Sequence, residues 1–295
     1  MEPKNILIAL LIVIAIAFHA FWYVTESRRK HHAGTLKPKG LSLFAAFVAN
    51  FFDTLGIGSF ATTTSMSKLW NLMPDEKIPG TLNVGYVMAT VVQAVIFMTI
   101  IEVDFLTLVS IIGAAVLGAF LGAGVVSGFN RRQVQIGMGT ALLVASALMV
   151  LSMSGQGPAP GEALGLSGAK LGIAVAISMV LGALMMLGIG FYGPCLIMIS
   201  LLGMDPRVSY PIMMGACAFL MPSGSIQFIR KGSYDLRTAI AFLIAGPLAV
   251  LIAAPLVDAI PLFYLRILVL VVVLYTAIRM LTSAAQEKAA ARATA

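Results

Sequence analysis

Leu55-Gly56-Ile57-Gly58 is written a second time as Leu187-Gly188-Ile189-Gly190, 132 residues later. With that offset held, Met66 falls on Met198, Leu69 on Leu201, Pro74 on Pro206 and Pro79 on Pro211. This makes 8 identities over the 25 positions 55–79 without a gap. Both copies lie inside long apolar segments. A glycine-rich interruption of a membrane segment, once in each half of a chain, points to a transported solute's binding site.

The composition supports the membrane premise. Hydrophobic residues make up 60% of the chain and charged residues 11%, where a soluble domain is about a quarter charged. The apolar residues come in blocks of about 20, the length a helix needs to cross a bilayer core of roughly 30 Å. A membrane barrel would show short alternating strands instead. The formal charge of +7 does not point to nucleic acid, because the basic residues lie in short loops between apolar blocks and set orientation. Cys195 and Cys217 form no disulfide or metal pattern, and His19, His31 and His32 have no Cys or His partner at ligand spacing. No cofactor is expected.

Taken in order, residues 1–40 read as an N-terminal transmembrane anchor and a basic loop. The apolar run 6–24 ends in the interfacial aromatics Phe21-Trp22-Tyr23. Ala15-Ile16-Ala17 resembles a signal-peptide cleavage site, but Arg28, Arg29, Lys30, Lys37 and Lys39 follow the run rather than precede it. That favours an uncleaved helix. Residues 41–152 form repeat 1, 153–170 a Gly/Pro/Ser-rich linker, 171–283 repeat 2 and 284–295 a frayed tail. Gly118 and Gly122 have the spacing that lets helix backbones approach closely.

The positive-inside rule decides how the broken segments run. With the loop 25–40 inside, re-entrant breaks place 15 of the 19 Lys and Arg inside; breaks that cross fully place 12 inside and 7 outside. The reading is therefore an all-α polytopic membrane protein. It has one N-terminal span and two inverted repeats, each a glycine-broken re-entrant segment followed by three spans, with the N-terminus outside and the C-terminus cytoplasmic. The alternative is nine full spans. Re-entrant backbone is tolerable only where protein buries it or water reaches it, so the two breaks are expected to meet at the centre.

The residues at the breaks suit a small anion. Gly56 and Gly58 reach backbone angles closed to other residues. A helix restarting at Ser59 presents unsatisfied N–H groups and the positive end of its dipole, and Ser59, Thr62 and Thr63 add hydroxyls. The second copy offers Gly190, Tyr192, Gly193 and Cys195, with Pro194 suited to a first helical turn. Such helix starts hold anions without a buried Lys or Arg. Asp53, two residues before the first break, is an intramembrane carboxylate and so a functional candidate. It is a proton carrier for coupling, a gate, or a cap for the restarted helix; its counterpart at the 132-residue offset is Met185. Asn50, Asn83, Gln93 and Gln227 are further polar residues in apolar blocks, of which Asn83 and Gln227 are placed in the cavity and the others read as helix bridges. Gly188-x-Gly190-x-x-Gly193 fits a dinucleotide fingerprint, but that motif has meaning only between a strand and a helix.

Together, several features resemble the TauE/SafE family of sulfite and organosulfur permeases over roughly residues 41–282. They are the duplicated Gly-Ile-Gly, Pro79-Gly80-Thr81, the glycines from Gly113 to Gly124, Arg131-Arg132, Pro211-Ile212-Met213-Met214-Gly215 and Tyr234-Asp235-Leu236-Arg237. The family's longer glycine run is interrupted here by Ser59 and Phe191. The resemblance implies a permease or exporter in the bacterial plasma membrane for sulfite, sulfonates or related small anions, and no enzymatic activity. The expected partners are that substrate and membrane lipid, not nucleic acid, with a homo-oligomer left open. A channel-like facilitator is the alternative function, and an intramembrane enzyme a more distant one.

Overall fold

The structure is a computed structural model and describes residues 3–29, 36–125, 131–154, 161–185 and 191–293. His31, His32, Gly188, Gly190 and the stretch 155–160 of the linker lie outside the described residues. Within them the chain is helical. It runs α1 (Pro3–Ser27), α2 (Gly40–Thr54), α3 (Ser59–Trp70), α4 (Ile78–Ile100), α5 (Phe105–Val125), α6 (Arg131–Met153), α7 (Gly168–Met185), α8 (Tyr192–Leu201), α9 (Ser209–Lys231), α10 (Leu236–Ala259) and α11 (Leu262–Ala293).

Six described helices are long and apolar enough to cross a membrane: α1, α4, α7, α9 with the turn before it, α10 and α11. The chain is a polytopic helical membrane protein. The 15 residues of α2 extend about 22 Å at 1.5 Å per residue, short of a bilayer core. The 18 residues of α7 reach about 27 Å, so the second arm is the longer of the two.

The duplication reaches well beyond the glycines. Both broken segments end alike. Asn71 (φ 48°) closes α3 and Gly203 (φ 90°) closes α8, each in left-handed backbone. The following N–H reaches back each time, Leu72 to the Ser67 carbonyl (3.1 Å) and Met204 to the Ile199 carbonyl (3.2 Å). That is the bonding of a Schellman helix end. One turn of 3-10 helix follows in each copy, Asp75–Lys77 and Pro206–Val208, before α4 and α9. The next helix but one also begins alike: Asp104 accepts from the Thr107 N–H (2.8 Å) at the head of α5, and Asp235 from the Thr238 N–H (2.8 Å) at the head of α10. Both are side-chain N-caps, which satisfy an otherwise orphaned helix donor.

Two compact units are present, and neither coincides with a repeat. Unit 1 comprises residues 1–101 and 214–259; unit 2 comprises 102–213 and 260–295. In unit 1, α10 packs along both α2 and α4; in unit 2, α5 packs along α7 and α11 along α6. Under the 132-residue offset the α2–α10 pair corresponds to the α7–α5 pair, so each repeat contributes the same helix to the other's broken segment.

Within unit 1, α2 and α4 begin at the same end. The Arg237 side chain donates to the Lys37 carbonyl just before α2, and the Asp235 N–H donates to Thr81 Oγ1 (2.8 Å) in the first turn of α4. The segment from α2 through α3 therefore leaves and returns to the end where α10 starts. This joins Pro79-Gly80-Thr81 to Tyr234-Asp235. Gly80 is needed there, since a Cβ on it would lie 2.1 Å from the Ser233 carbonyl oxygen. α1 is fastened at the same end. Trp22 Nε1 donates to the Tyr234 hydroxyl (2.8 Å), and Arg29, paired with Glu26, donates to the Ile229 carbonyl (2.7 Å) at the end of α9. Burial, followed by the Glu26 contact, pushes the Tyr234 hydroxyl pKa upward, so it stays protonated.

The linker is less free than its composition predicts. In unit 2 the Asp104 N–H donates to the Leu164 carbonyl (2.9 Å), Leu166 N–H to Thr107 Oγ1 (2.9 Å), and Asp205 N–H to the Ala163 carbonyl (3.0 Å). These bonds tie its second part to the heads of α5 and of the α8–α9 turn. Beyond that point α5 and α7 cross in backbone contact. A Cβ on Gly118 would lie 1.8 Å from the Met179 carbonyl oxygen, and one on Gly182 would lie 2.0 Å from that of Ala115. Gly118 is thus a packing residue, as close-approach glycines in membrane helices commonly are. Gly118→Val and Gly182→Val are expected to abolish the folded, monodisperse protein in detergent chromatography. Gly113→Ala, whose added Cβ would meet nothing within 4 Å, is expected to leave the thermal midpoint unchanged or raised, since Ala is favoured over Gly by about 1 kcal/mol inside a helix.

Candidate functional site

The first break is built by two successive backbone devices. α2 ends in a Schellman turn: the Gly56 N–H donates to the Asp53 carbonyl (2.8 Å) and the Ile57 N–H to the Phe52 carbonyl (3.1 Å). Gly56 takes φ 97° for this purpose. Gly58, at φ 86° and ψ 122°, then turns the chain into α3. A Cβ on Gly58 would meet nothing within 4 Å, so the demand there is conformational rather than spatial, in a region that is essentially glycine-only.

The start of α3 is not vacant. Asp53 Oδ1 accepts from the Ser59 N–H (2.5 Å), and Asp53 Oδ2 accepts from Gln93 Nε2 (2.9 Å) on α4. Asp53 is 3% exposed and Gln93 fully buried. The carboxylate is therefore the cap of the restarted helix, and the positive helix end together with two donors offsets its charge. The expectation of an unoccupied amide cradle needs amending: at this break an acidic side chain already sits on the first amide.

Around that carboxylate lies a buried polar network. Gln93 Nε2 also donates to Thr54 Oγ1 (3.0 Å), whose own proton goes to the Asn50 carbonyl (2.7 Å). Thr63 and the Tyr86 hydroxyl are bonded at 2.7 Å, with the Asn50 amide beside the tyrosine. Tyr86 is stacked on Phe242 of α10, centroids 4.5 Å apart and planes at 12°. Asn50 Nδ2 donates to the Ala46 carbonyl (2.9 Å), while its Oδ1 is buried without a partner.

The structure brings Asp53, Ser59 and Thr63 into this network. Thr62 sits beside it and donates back to the Gly58 carbonyl (3.2 Å). Asn83 lies on the same stripe of α4, one turn nearer its start, half-buried and donating to the Pro79 carbonyl (2.9 Å). Gln227 is exposed on α9. The second copy belongs to unit 2. Gly190 lies outside the described residues, Tyr192 and Cys195 are buried at the head of α8, and a Cβ on Gly193 would lie 2.7 Å from Thr276 Oγ1 of α11. Pro194 falls in the first turn of α8, as its chemistry predicts.

Gln93, Thr54 and Tyr86 belong to the same buried network, although sequence reading left them out of the candidate site. Their signal was periodic. Asn50, Asp53 and Thr54 stand at i, i+3 and i+4 on α2, and Tyr86, Thr90 and Gln93 at i, i+4 and i+7 on α4. Each set makes one polar face on an apolar helix. Tyr86→Phe is expected to strand the buried Thr63 hydroxyl and cost about 1–3 kcal/mol. Thermal unfolding should show that Thr63→Val combined with Tyr86→Phe costs less than the sum of the two single changes.

The family model described as Sulfite exporter TauE/SafE matches residues 3–149. The resemblance read from the motifs is thus borne out over this part of the chain. The match also takes in α1, which the motifs had left outside, and stops before the second repeat. That family is one of transporters, not of enzymes. No curated protein and no solved structure matches the chain.

Proposed function

Proceeding from that match, we propose that the protein is a secondary transporter of small sulfur-containing anions, sulfite or an organosulfonate, coupled to protons through Asp53. The observation that carries this reading is the buried carboxylate on the first amide of a broken helix. An anionic substrate approaching the same amides meets a like charge. At about 4 Å and an effective dielectric near 20, that repulsion is roughly 4 kcal/mol, enough to exclude the anion while Asp53 is ionised. Neutralising Asp53 removes the repulsion and turns its charge-assisted hold on the Ser59 N–H into a weaker, neutral one, so the anion enters with a proton. Gly56, Gly58, Ser59, Thr62 and Thr63 form the proposed contact surface in unit 1, with Asn83 on its approach. Gly190, Tyr192, Gly193 and Cys195 are proposed to serve likewise in unit 2, and Gln227 is the weakest member of the set.

The re-entrant, inverted arrangement belongs to this proposal. Its support is that the segment α2–α3 returns to the end of unit 1 from which it set out. Within unit 2, α7 begins beside the head of α5. On this topology the protein is a plasma-membrane protein with its N-terminus outside and its C-terminus in the cytoplasm.

A channel-like facilitator is the second reading, favoured by the plain geometry of Asp53 as a helix cap. Asp53→Asn separates the two, because an amide oxygen still accepts from Ser59 N–H while the titrating group is gone. In proteoliposomes loaded against a sulfite gradient, a proton-coupled carrier loses proton-driven accumulation in this variant and keeps counterflow. Absence of proton-driven accumulation in both forms, with equal downhill flux, would support the facilitator instead, and unchanged accumulation would remove Asp53 as the coupling group.

A further inference from the structure

We infer that Gln93 is the positioning residue of the coupling group: it holds the Asp53 carboxylate on the α3 start and thereby sets the conditions under which that group changes state. This rests on the coupling role proposed for Asp53. Three observations carry it, and none depends on the identity of the substrate.

Geometry is the first. Gln93 Nε2 donates to Asp53 Oδ2 at 2.9 Å and to Thr54 Oγ1 at 3.0 Å. The Thr54 hydroxyl spends its own proton on the Asn50 carbonyl at 2.7 Å, so only a lone pair is left to face Gln93. Both hydrogens of the amide nitrogen are thereby committed, and the reversed amide would point its oxygen at a carboxylate and a lone pair. Asp53 is thus gripped from two helices, by Ser59 of α3 on one oxygen and by Gln93 of α4 on the other.

The duplicate provides the second observation. At the 132-residue offset Asp53 corresponds to Met185 and Gln93 to Ser225. Where the carboxylate is missing, its amide donor is missing too, and the buried Ser225 hydroxyl has no partner.

Isolation is the third. Besides Asp53, the titratable or charged side chains of α2, α3, α4 and α10 are Lys68, Tyr86, Arg237 and Asp258; α1, which also packs on α4, adds Lys4, His19, Tyr23 and Glu26, and the turn before α4 adds Asp75, Glu76 and Lys77. His19 is engaged within α1, its Nδ1 bonded to the Ala15 carbonyl (2.8 Å), and the Asp53→Asn background carries the same α1 and turn groups. Lys68, Arg237 and Asp258 stand in the first or last turns of their helices. Tyr86 alone is on the inner stripe, where its hydroxyl is engaged with Thr63. Gln93 is therefore the neutral group best placed to tune the acid.

The test uses the purified full-length protein and a thermal-unfolding cycle of four forms: unaltered, Gln93→Met, Asp53→Asn and the double variant, each across pH 5–9. Positioning predicts that Gln93→Met alters the pH dependence of the midpoint when Asp53 is present and does not in the Asp53→Asn background. Additive shifts with parallel pH profiles would overturn it. Should Gln93→Met not fold, Gln93→Glu replaces it. That variant puts two carboxyls where one proton must be shared, so its profile moves toward higher pH; an unmoved profile overturns the proposal equally. In parallel, thiosulfate, whose charge is constant over this range, probes uptake into proteoliposomes under a proton gradient. Gln93→Met is expected to lower gradient-driven accumulation at least tenfold. If Asp53→Asn leaves that accumulation intact, the coupling reading fails on its own, while the unfolding cycle still decides whether Gln93 positions Asp53.

Discussion

A single buried charge organises the first half of this protein. A carboxyl in an apolar interior is costly unless it is paired and hydrogen-bonded, and Asp53 accepts from the first amide of α3 and from Gln93. The compensation works only because the chain stops α2 at Gly56, turns at Gly58 and starts α3 at Ser59, six residues after the acid. The break and the carboxylate therefore specify one another. A continuous helix would leave Asp53 without the amide, and an apolar residue at 53 would leave the amide without an acceptor.

The two copies of the break have diverged in chemistry while keeping their backbone plan. The first carries Asn50, Asp53, Ser59, Thr63, Tyr86 and Gln93; at the 132-residue offset stand Gly182, Met185, Phe191, Cys195, Ala218 and Ser225. Glycine at 182 lets α7 touch the backbone of α5, whereas its counterpart Asn50 faces Gly246 of α10, with 3.3 Å from its Nδ2 to where a Cβ on that glycine would stand. The small residue has changed sides of the same helix crossing. The acid and its amide partners stand in the first copy alone of these two sets.

Much of this architecture was legible in the sequence, for identifiable reasons. Apolar block length follows from bilayer thickness, and a helix stop needs glycine or asparagine in left-handed backbone. The polytopic helical class and the Gly56 break could accordingly be read directly, whereas the count of spans could not: six described helices are long and apolar enough to cross, α7 among them, where seven full spans were expected. The duplicated caps Asp104-x-x-Thr107 and Asp235-x-x-Thr238 were equally present but lie 131 residues apart, one off the offset of the breaks. Membership of the site was harder, because spacing on one helix does not say which neighbour it faces. Asn83 and Gln93 sit on one stripe of α4, yet only the second is reached by the acid on α2. The exchange of helices between repeats was not legible, since which helices pack together is decided by contacts far apart in sequence, such as Gly118 on Met179.

That exchange has a consequence for synthesis. Unit 1 needs α10, which ends at residue 259, and unit 2 needs α11, which begins after it. During translation the broken segment α2–α3 is made early but lacks its packing partner until most of the chain has left the ribosome. Asp53 is therefore translated long before α10, the helix that packs along α2. A primordial chain of one repeat would have faced the same shortage permanently, and could have met it only by borrowing the missing helix from a second copy of itself.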